Sequence, residues 1–386
     1  MTHALSGLKV LDFSTLLPGP FASLYLADMG AEVIHIESAT RPDLIRLFPP
    51  YANGQATSHS YLNRNKQSIT LDLKSPESIQ LIHDKIAEFD IVLEQFRPGV
   101  MQRLGLDYAS LAKINPRLIY CSITGYGQTG DYQQRAGHDI NYLALSGIAG
   151  HSGRQAGGPP PLGIQVADVA GGSLHALVAI LSAVIERQRS GLGQYIDISM
   201  TDCAATLNNM AASAVLAAQV PQYAEQSYLN GGTYYDYYET ADGRYLSVGS
   251  LEPQFMQGLA QILNLPILLE KGASLDPQER LQVKHAIQDK IKTQSFATWQ
   301  QVFAQYDVCV EPVFTLDEAL HSPLAQQRGW TVEVPIQQNA TKTETQLACP
   351  IKFSRSQMRY DYIGQALGAG QWSSQIKNQD EDEAKS

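Results

Sequence analysis

Apolar runs of strand length alternate with longer stretches of helical spacing along the first half of the chain. Residues 8–13 read as a buried strand, Leu17-Pro18-Gly19-Pro20 turns the chain, and 21–29 carry apolar residues at helical spacing until Gly30 stops the helix. Residues 32–37 make the next strand, so the chain opens on a βαβ unit. Further strands are expected over 68–73, 91–95, 118–124 and 194–199. Ser75-Pro76-Glu77 marks a helix start, with Ser as N-cap and Pro in the first helical position. Leu174, Leu177, Val178, Leu181 and Val184 predict a helix over about 169–189 with a wide apolar face, and the Ala-rich stretch 202–219 predicts another. Strands alternating with helices predict a mostly parallel sheet.

The pattern changes twice. Residues 150–163 are rich in Gly and Pro, with Pro159-Pro160-Pro161 among them, and read as a loop over a site. Composition shifts at Pro221: Tyr crowds 223–238, and a strand pair is expected around the Ala241-Asp242-Gly243 turn. The expected fold class is α/β: a Rossmann-like large domain with a parallel sheet over 1–220, to which a segment of about 335–370 returns. A smaller α+β domain follows over 221–334, and an acidic flexible tail over 371–386. No internal repeat is visible.

Composition narrows the function. The 386 residues are 44% hydrophobic and 17% charged, an ordinary globular balance with ample material for a core. The formal net charge of −10 argues against a nucleic-acid partner, and an anionic ligand needs a local basic patch. Cys121, Cys203, Cys309 and Cys349 show no CxxC spacing. They read as free thiols in a reducing compartment, so a cytoplasmic location without zinc or disulfides is expected. The N-terminus lacks a secretory pattern, no apolar run is read as membrane-spanning, and no membrane partner is expected. The first βαβ unit lacks G-x-G-x-x-G, so no dinucleotide cofactor is expected.

Three stretches carry candidate chemistry. Ala136-Gly137-His138-Asp139 puts an ionisable His at a Gly-preceded corner ahead of a helix in which Ile140, Leu143, Ala144 and Gly147 share a face. Asp139 reads as a first-turn residue completing that helix start. Ala167-Asp168-Val169-Ala170-Gly171-Gly172 places an Asp before two glycines whose missing side chains allow a ligand close to the backbone. Leu251-Glu252-Pro253 places a Glu after a strand-like run. Each has a plainer reading: His138 as a cap, Asp168 as an N-cap held ionised by the helix dipole, Glu252 as a surface residue in a strand exit.

The words AGHDINYLALSG, ADVAGG, GGTYYDYYETADGRYLSVGSLEPQF and NRNKQSITLDLK resemble those of the family III CoA-transferases (the CaiB/BaiF superfamily), and within them the α-methylacyl-CoA racemases, over about residues 5–353. The resemblance implies an interlocked homodimer. It implies that His138, polarised by Glu252, serves one face of a thioester α-carbon and Asp168 the other, with no cofactor beyond the CoA carried by the substrate. Inverting such a carbon requires a base on one face, an acid on the other and a stabilised enolate between the steps. Arg41, Arg64, Lys66 and Arg97, beside strand ends, are the candidates for the CoA phosphates. Ser38 stands where many relatives carry an Arg, with Arg41 the nearest guanidinium. Met210, Leu216, Tyr234 and Tyr235 line an acyl channel or belong to the core. The expected activity is racemisation of 2-methyl-branched acyl-CoA thioesters by 1,1-proton transfer. The alternatives are CoA transfer between carboxylic acids through an aspartyl-CoA thioester at Asp168, which needs neither His138 nor Glu252, and acyl-CoA binding without catalysis.

Overall fold

A computed structural model describes residues 2–370 and 372. Six parallel strands form its main sheet: β1 (Lys9–Asp12), β2 (Glu32–Glu37), β3 (Lys66–Thr70), β4 (Ile91–Glu94), β5 (Ile119–Thr124) and β6 (Tyr195–Ser199). Their spatial order is β3-β2-β1-β4-β5-β6. The order reverses between β1 and β4, which opens a crevice at the carboxyl ends of the strands, where open α/β sheets hold ligands. The runs read as strands are covered on both faces, so Val10, Leu11, Ile91, Val92, Leu93 and Ile119 are fully buried.

Helices supply the cover. The helix α1 (Pro18–Asp28) starts on the Leu17-Pro18-Gly19-Pro20 turn, with Pro at its first positions, and buries Leu24 and Leu26. The helix α2 (Pro76–Lys85) has Ser75 as N-cap, its hydroxyl accepting the Ser78 N–H. The short helix α3 (Asp139–Leu145) follows His138, and α4 runs from Ala167 to Ser190, its first turns (Ala167–Ser173) wound as a π-helix. Ala176, Leu177, Ile180 and Ala183 form the buried face of α4, while Leu174, Val178 and Ile185 are exposed. The 24-residue span Ala167–Ser190 is long and apolar enough to cross a membrane by length and composition, which corrects the sequence reading.

Two compact units emerge. Among the described residues, the first comprises 2–142, 164–204 and those from 328 on; the second comprises 143–163 and 205–327. This differs from expected boundaries at 220, 334 and 335. The Gly/Pro-rich loop belongs to the second unit because Arg154 pairs with Asp236 at 2.6 Å and Glu225 at 2.9 Å. The stretch 202–219 is not one helix. It splits into α5 (Met200–Leu207) and a helix at Asn209–Ala218, because Asn208 turns its side chain to the Ser146 carbonyl and the His151 ring, both at 2.8 Å. Returning to the first unit, the chain forms a hairpin of Thr331–Pro335 and Thr343–Leu347 and then pairs with the sheet edge, where Gly370 N–H donates to the Ser68 carbonyl. Apart from Trp372, the expected acidic tail lies outside the described residues.

The second unit has its own core, in which Tyr234, Tyr238 and Leu246 pack with Leu259, Val283, Ile287, Trp299 and Phe303. A three-stranded antiparallel sheet of Asp236–Glu239, Tyr245–Val248 and Val310–Pro312 backs it. Tyr234 is thus a core residue, whereas Met210 and Leu216 are exposed.

Candidate active site

Just past the carboxyl ends of β4 and β5, the first unit has a cleft of about 400 Å³. Arg97, Thr124, Arg135, His138 and Asn141 are among its lining residues. Gly137 is required at this corner: a Cβ there would lie 2.6 Å from the Tyr126 hydroxyl and 2.7 Å from the Tyr142 ring. The two rings meet edge to face at 5.3 Å, and Tyr142 donates to the Gly137 carbonyl at 2.6 Å. His138 precedes the first turn of α3 as expected, but its backbone makes the cap. Its N–H donates to Asn141 Oδ1 at 3.0 Å and its carbonyl accepts the Asn141 N–H at 2.8 Å. The imidazole is left exposed to the cleft. Ile140 and Leu145 are exposed as well, and Tyr142 and Leu143 form the buried side of the helix instead.

Asp168 lies in the π-turn that opens α4, and Val166 occupies the N-cap, so the capping reading does not hold. Its N–H donates to Asp139 Oδ1 at 3.0 Å, which couples Asp168 to the residue next to His138. Burial, reinforced by the Asp139 charge, pushes the Asp168 carboxyl up to about 7. Such a group is present as both acid and base near neutral pH. Gly171 and Gly172 do not open the backbone to a ligand. They are buried, and a Cβ on Gly172 would lie 2.9 Å from Met200 Cγ, so they let the π-turn pack on α5 and β5.

Glu252 belongs to the second unit. It occupies the N-cap of the helix Pro253–Leu263, with an extended backbone, an exposed side chain and no capping bond. Its charge is among the causes that raise the Cys309 thiol and the Tyr234 phenol.

The four phosphate candidates divide. Arg97 is exposed and lines the cleft beside His138. Arg41 is exposed on the loop after β2, its N–H donating to Ser38 Oγ at 3.2 Å. Arg64 and Lys66 are buried, each only 1% exposed, which corrects their reading as phosphate ligands. Arg64 Nε donates to Asp28 at 2.9 Å and its Nη1 to the Leu347 carbonyl at 2.6 Å, with the guanidinium 5.0 Å from the Tyr61 and Tyr360 rings. Lys66 donates to the Pro20 carbonyl at 2.9 Å and lies 3.7 Å from Asp12. Burial lowers the Lys66 ammonium to about 8 against the attraction of Asp12. The partners Asp12 and Asp28 lie in β1 and α1, distant in sequence, so proximity to a strand end did not reveal that these cations were already satisfied.

Sequence reasoning passed over Thr124 and Arg135, and it gave Asp139 only its place in the first turn, which the structure bears out. The signals for Asp139 and Arg135 were local: an acid directly after His138, and a cation three residues before it. Arg135 lines the cleft with its guanidinium 4.0 Å over the Tyr132 ring. Among the described residues, no group of three His, Cys, Asp or Glu side chains is placed to hold a metal ion.

The sequence model of CoA-transferase family III matches residues 5–366. The chain is 38% identical to the α-methylacyl-CoA racemase of Homo sapiens over 329 residues, covering 84% of this chain and 82% of the relative. It is 32% identical to the succinate–glutarate CoA-transferase of Agrobacterium fabrum over 380 residues, covering 95% and 94%. A CaiB/BaiF family protein from Brucella suis superposes with a TM-score of 0.82 at 29% identity, covering 95% of this chain and 97% of the other.

Proposed function

The chain belongs to CoA-transferase family III, and from that premise we propose that it is a racemase inverting the α-carbon of 2-methyl-branched acyl-CoA thioesters by 1,1-proton transfer. The observation that carries this reading is Asp168, whose carboxyl is pushed up to about 7 while its backbone is tied to the residue beside His138. In one direction His138 takes the α-proton, the electron pair moves into the enolate, and protonated Asp168 delivers a proton to the opposite face. The reverse direction exchanges the roles. Glu252 of a second copy orients and polarises the imidazole, and Arg41 and Arg97 meet the CoA phosphates. No cofactor beyond the CoA of the substrate takes part.

The working form on this reading is a cytoplasmic homodimer. Leu174, Val178 and Ile185 form an exposed apolar row on α4, and the apolar helix Asn209–Ala218 of the second unit buries none of its residues. Both are surfaces for a second copy to cover.

CoA transfer is the second reading, favoured by the near full-length similarity to the Agrobacterium fabrum transferase. Transfer uses Asp168 as a nucleophile and gives no role to His138, whereas racemisation needs a group that both donates and accepts a proton. Incubation of one epimer of a 2-methylacyl-CoA in deuterated water, followed by NMR, separates the two. Epimerisation with α-deuterium uptake and no hydroxamate at Asp168 after hydroxylamine treatment supports the racemase. A hydroxamate on the Asp168 peptide, without exchange, assigns CoA transfer.

A further inference from the structure

Thr124 ends β5, at the carboxyl edge of the sheet, and is 7% exposed. Among the described residues, none hydrogen-bonds its Oγ1. Buried hydroxyls nearly always have a partner, because leaving one unpaired forfeits its hydration without return. Orphaned side-chain atoms also occur on His35, His59, Gln128 and Arg359, but of these residues only Thr124 lines the His138 cleft. Its neighbours in that wall do not need it: the carbonyl of Gly125 is taken by the N–H and the hydroxyl of Thr201. A polar atom without a partner from the protein thus lies at the end of the strand beside the cleft, closed to solvent in the free protein.

We propose that the Thr124 hydroxyl is a substrate-binding group that hydrogen-bonds an amide of the pantetheine arm of the CoA ester. The inference rests on the reading that the cleft takes a CoA thioester, and it deepens that reading. The chemistry of the lining assigns the parts. Arg97 and Arg135 are cations suited to phosphates, and His138 serves the reacting carbon. What remains of the ligand in the cleft is neutral and polar, with two amides. A threonine hydroxyl is both donor and acceptor, so it answers either end of an amide without introducing charge. In the free protein the orphan hydroxyl is a small destabilisation that ligand binding removes.

The test uses Thr124→Val, which keeps the shape and removes the hydroxyl, and Thr124→Ser, which keeps the hydroxyl. Titration calorimetry follows CoA and 3′-phospho-ADP, the half of CoA that lacks pantetheine. Thr124→Val is expected to weaken CoA binding roughly fivefold to tenfold and to leave 3′-phospho-ADP unchanged. The Ser variant restores CoA affinity. Ligand-free Thr124→Val melts no lower than the wild type, since the lost hydroxyl had no protein partner. In turnover, the Val variant raises KM and leaves kcat in place. Equal CoA affinity in wild type and Thr124→Val means that CoA does not reach the hydroxyl, and overturns the contact alone. Equal losses for both ligands place Thr124 away from pantetheine and overturn it as well. Failure of the wild type to bind CoA removes the reading on which the contact rests.

Discussion

The carboxylate of Asp139 accepts the backbone N–H of Asp168 at 3.0 Å. One bond therefore joins the first turn of α3, which begins beside His138, to the π-turn of α4, which carries Asp168. The same carboxylate acts through its charge: after burial, it is the second cause of the rise of Asp168 to about 7. Asp139 thus positions Asp168 through its oxygen and tunes it through its charge. These two roles are separable, because an amide oxygen can accept the same N–H.

The substitution Asp139→Asn separates them. Asn retains an oxygen for the Asp168 N–H and removes the negative charge that disfavours ionisation of Asp168. The limb of the pH–rate profile that reports Asp168 is expected to move to lower pH by about half a unit to one unit, with KM little changed. Asp139→Ala loses the oxygen too and is expected to lower kcat further. An unmoved limb in Asp139→Asn would show that the charge of Asp139 does not reach Asp168.

Asp168 also sets a pH dependence of stability. Its folded-state pKa is raised, from 3.8 to about 7, so the folded state holds the proton more tightly than the unfolded state. Between these values the folded protein binds more protons, and its contribution to stability falls as pH rises. The variant Asp168→Asn carries no charge to bury. It is expected to melt higher than the wild type by on the order of 1–3 °C at pH 8, with the gain fading as pH falls toward 4. Melting curves of both proteins across that range check the sign. On the racemase reading the variant is also expected to lose racemisation, because an amide does not carry the proton.

Arg64 and Arg97 looked alike in sequence and differ in what their loss will do. The Arg64 guanidinium is buried against Asp28, and Arg64→Ala leaves that carboxylate without its partner. It is expected to destabilise the protein by about 3–5 kcal/mol, read by denaturant unfolding. Arg97→Ala removes an exposed cation from the cleft. Its unfolding is expected to be unchanged, while CoA-ester KM rises with kcat maintained. A stable Arg64→Ala with weakened CoA binding would reverse the assignment.

Much of the first unit was legible because its signals are local. The continuous apolar runs of β1, β4 and β5 mark strands buried on both faces, and Ser75-Pro76 marks a helix start by its own chemistry. The His138 corner was legible for the same reason, since a glycine and a helix start adjoin it. What failed was pairing across long separations. Arg64 meets Asp28 and Tyr360, and Arg154 meets Asp236, 82 residues away, which draws the Gly/Pro-rich loop into the second unit. No periodicity encodes such partners. The break at Asn208 was hidden likewise, because high Ala propensity predicts a continuous helix and the competing bonds to Ser146 and His151 are tertiary.

Gly172 provides a test of how a glycine word is read. The sequence suggested close approach of a ligand, whereas the structure sets Gly172 against the next layer of the protein. A Cβ at this position would lie 2.9 Å from Met200 Cγ and 3.4 Å from Ile123 Cγ2. Met200 is itself buried, so it has little room to withdraw. Alanine normally gains about 1 kcal/mol over glycine within a helix. Here the overlap is expected to exceed that gain, for a net loss of roughly 1–2 kcal/mol. A shorter side chain at 200 makes space for the new methyl, so Gly172→Ala and Met200→Ala are expected to be less than additive. The double variant should recover on the order of 1 kcal/mol of the summed losses. Denaturant unfolding of the four proteins in the cycle measures this coupling. Strict additivity, together with lost CoA binding in Gly172→Ala, would return Gly172 to the ligand.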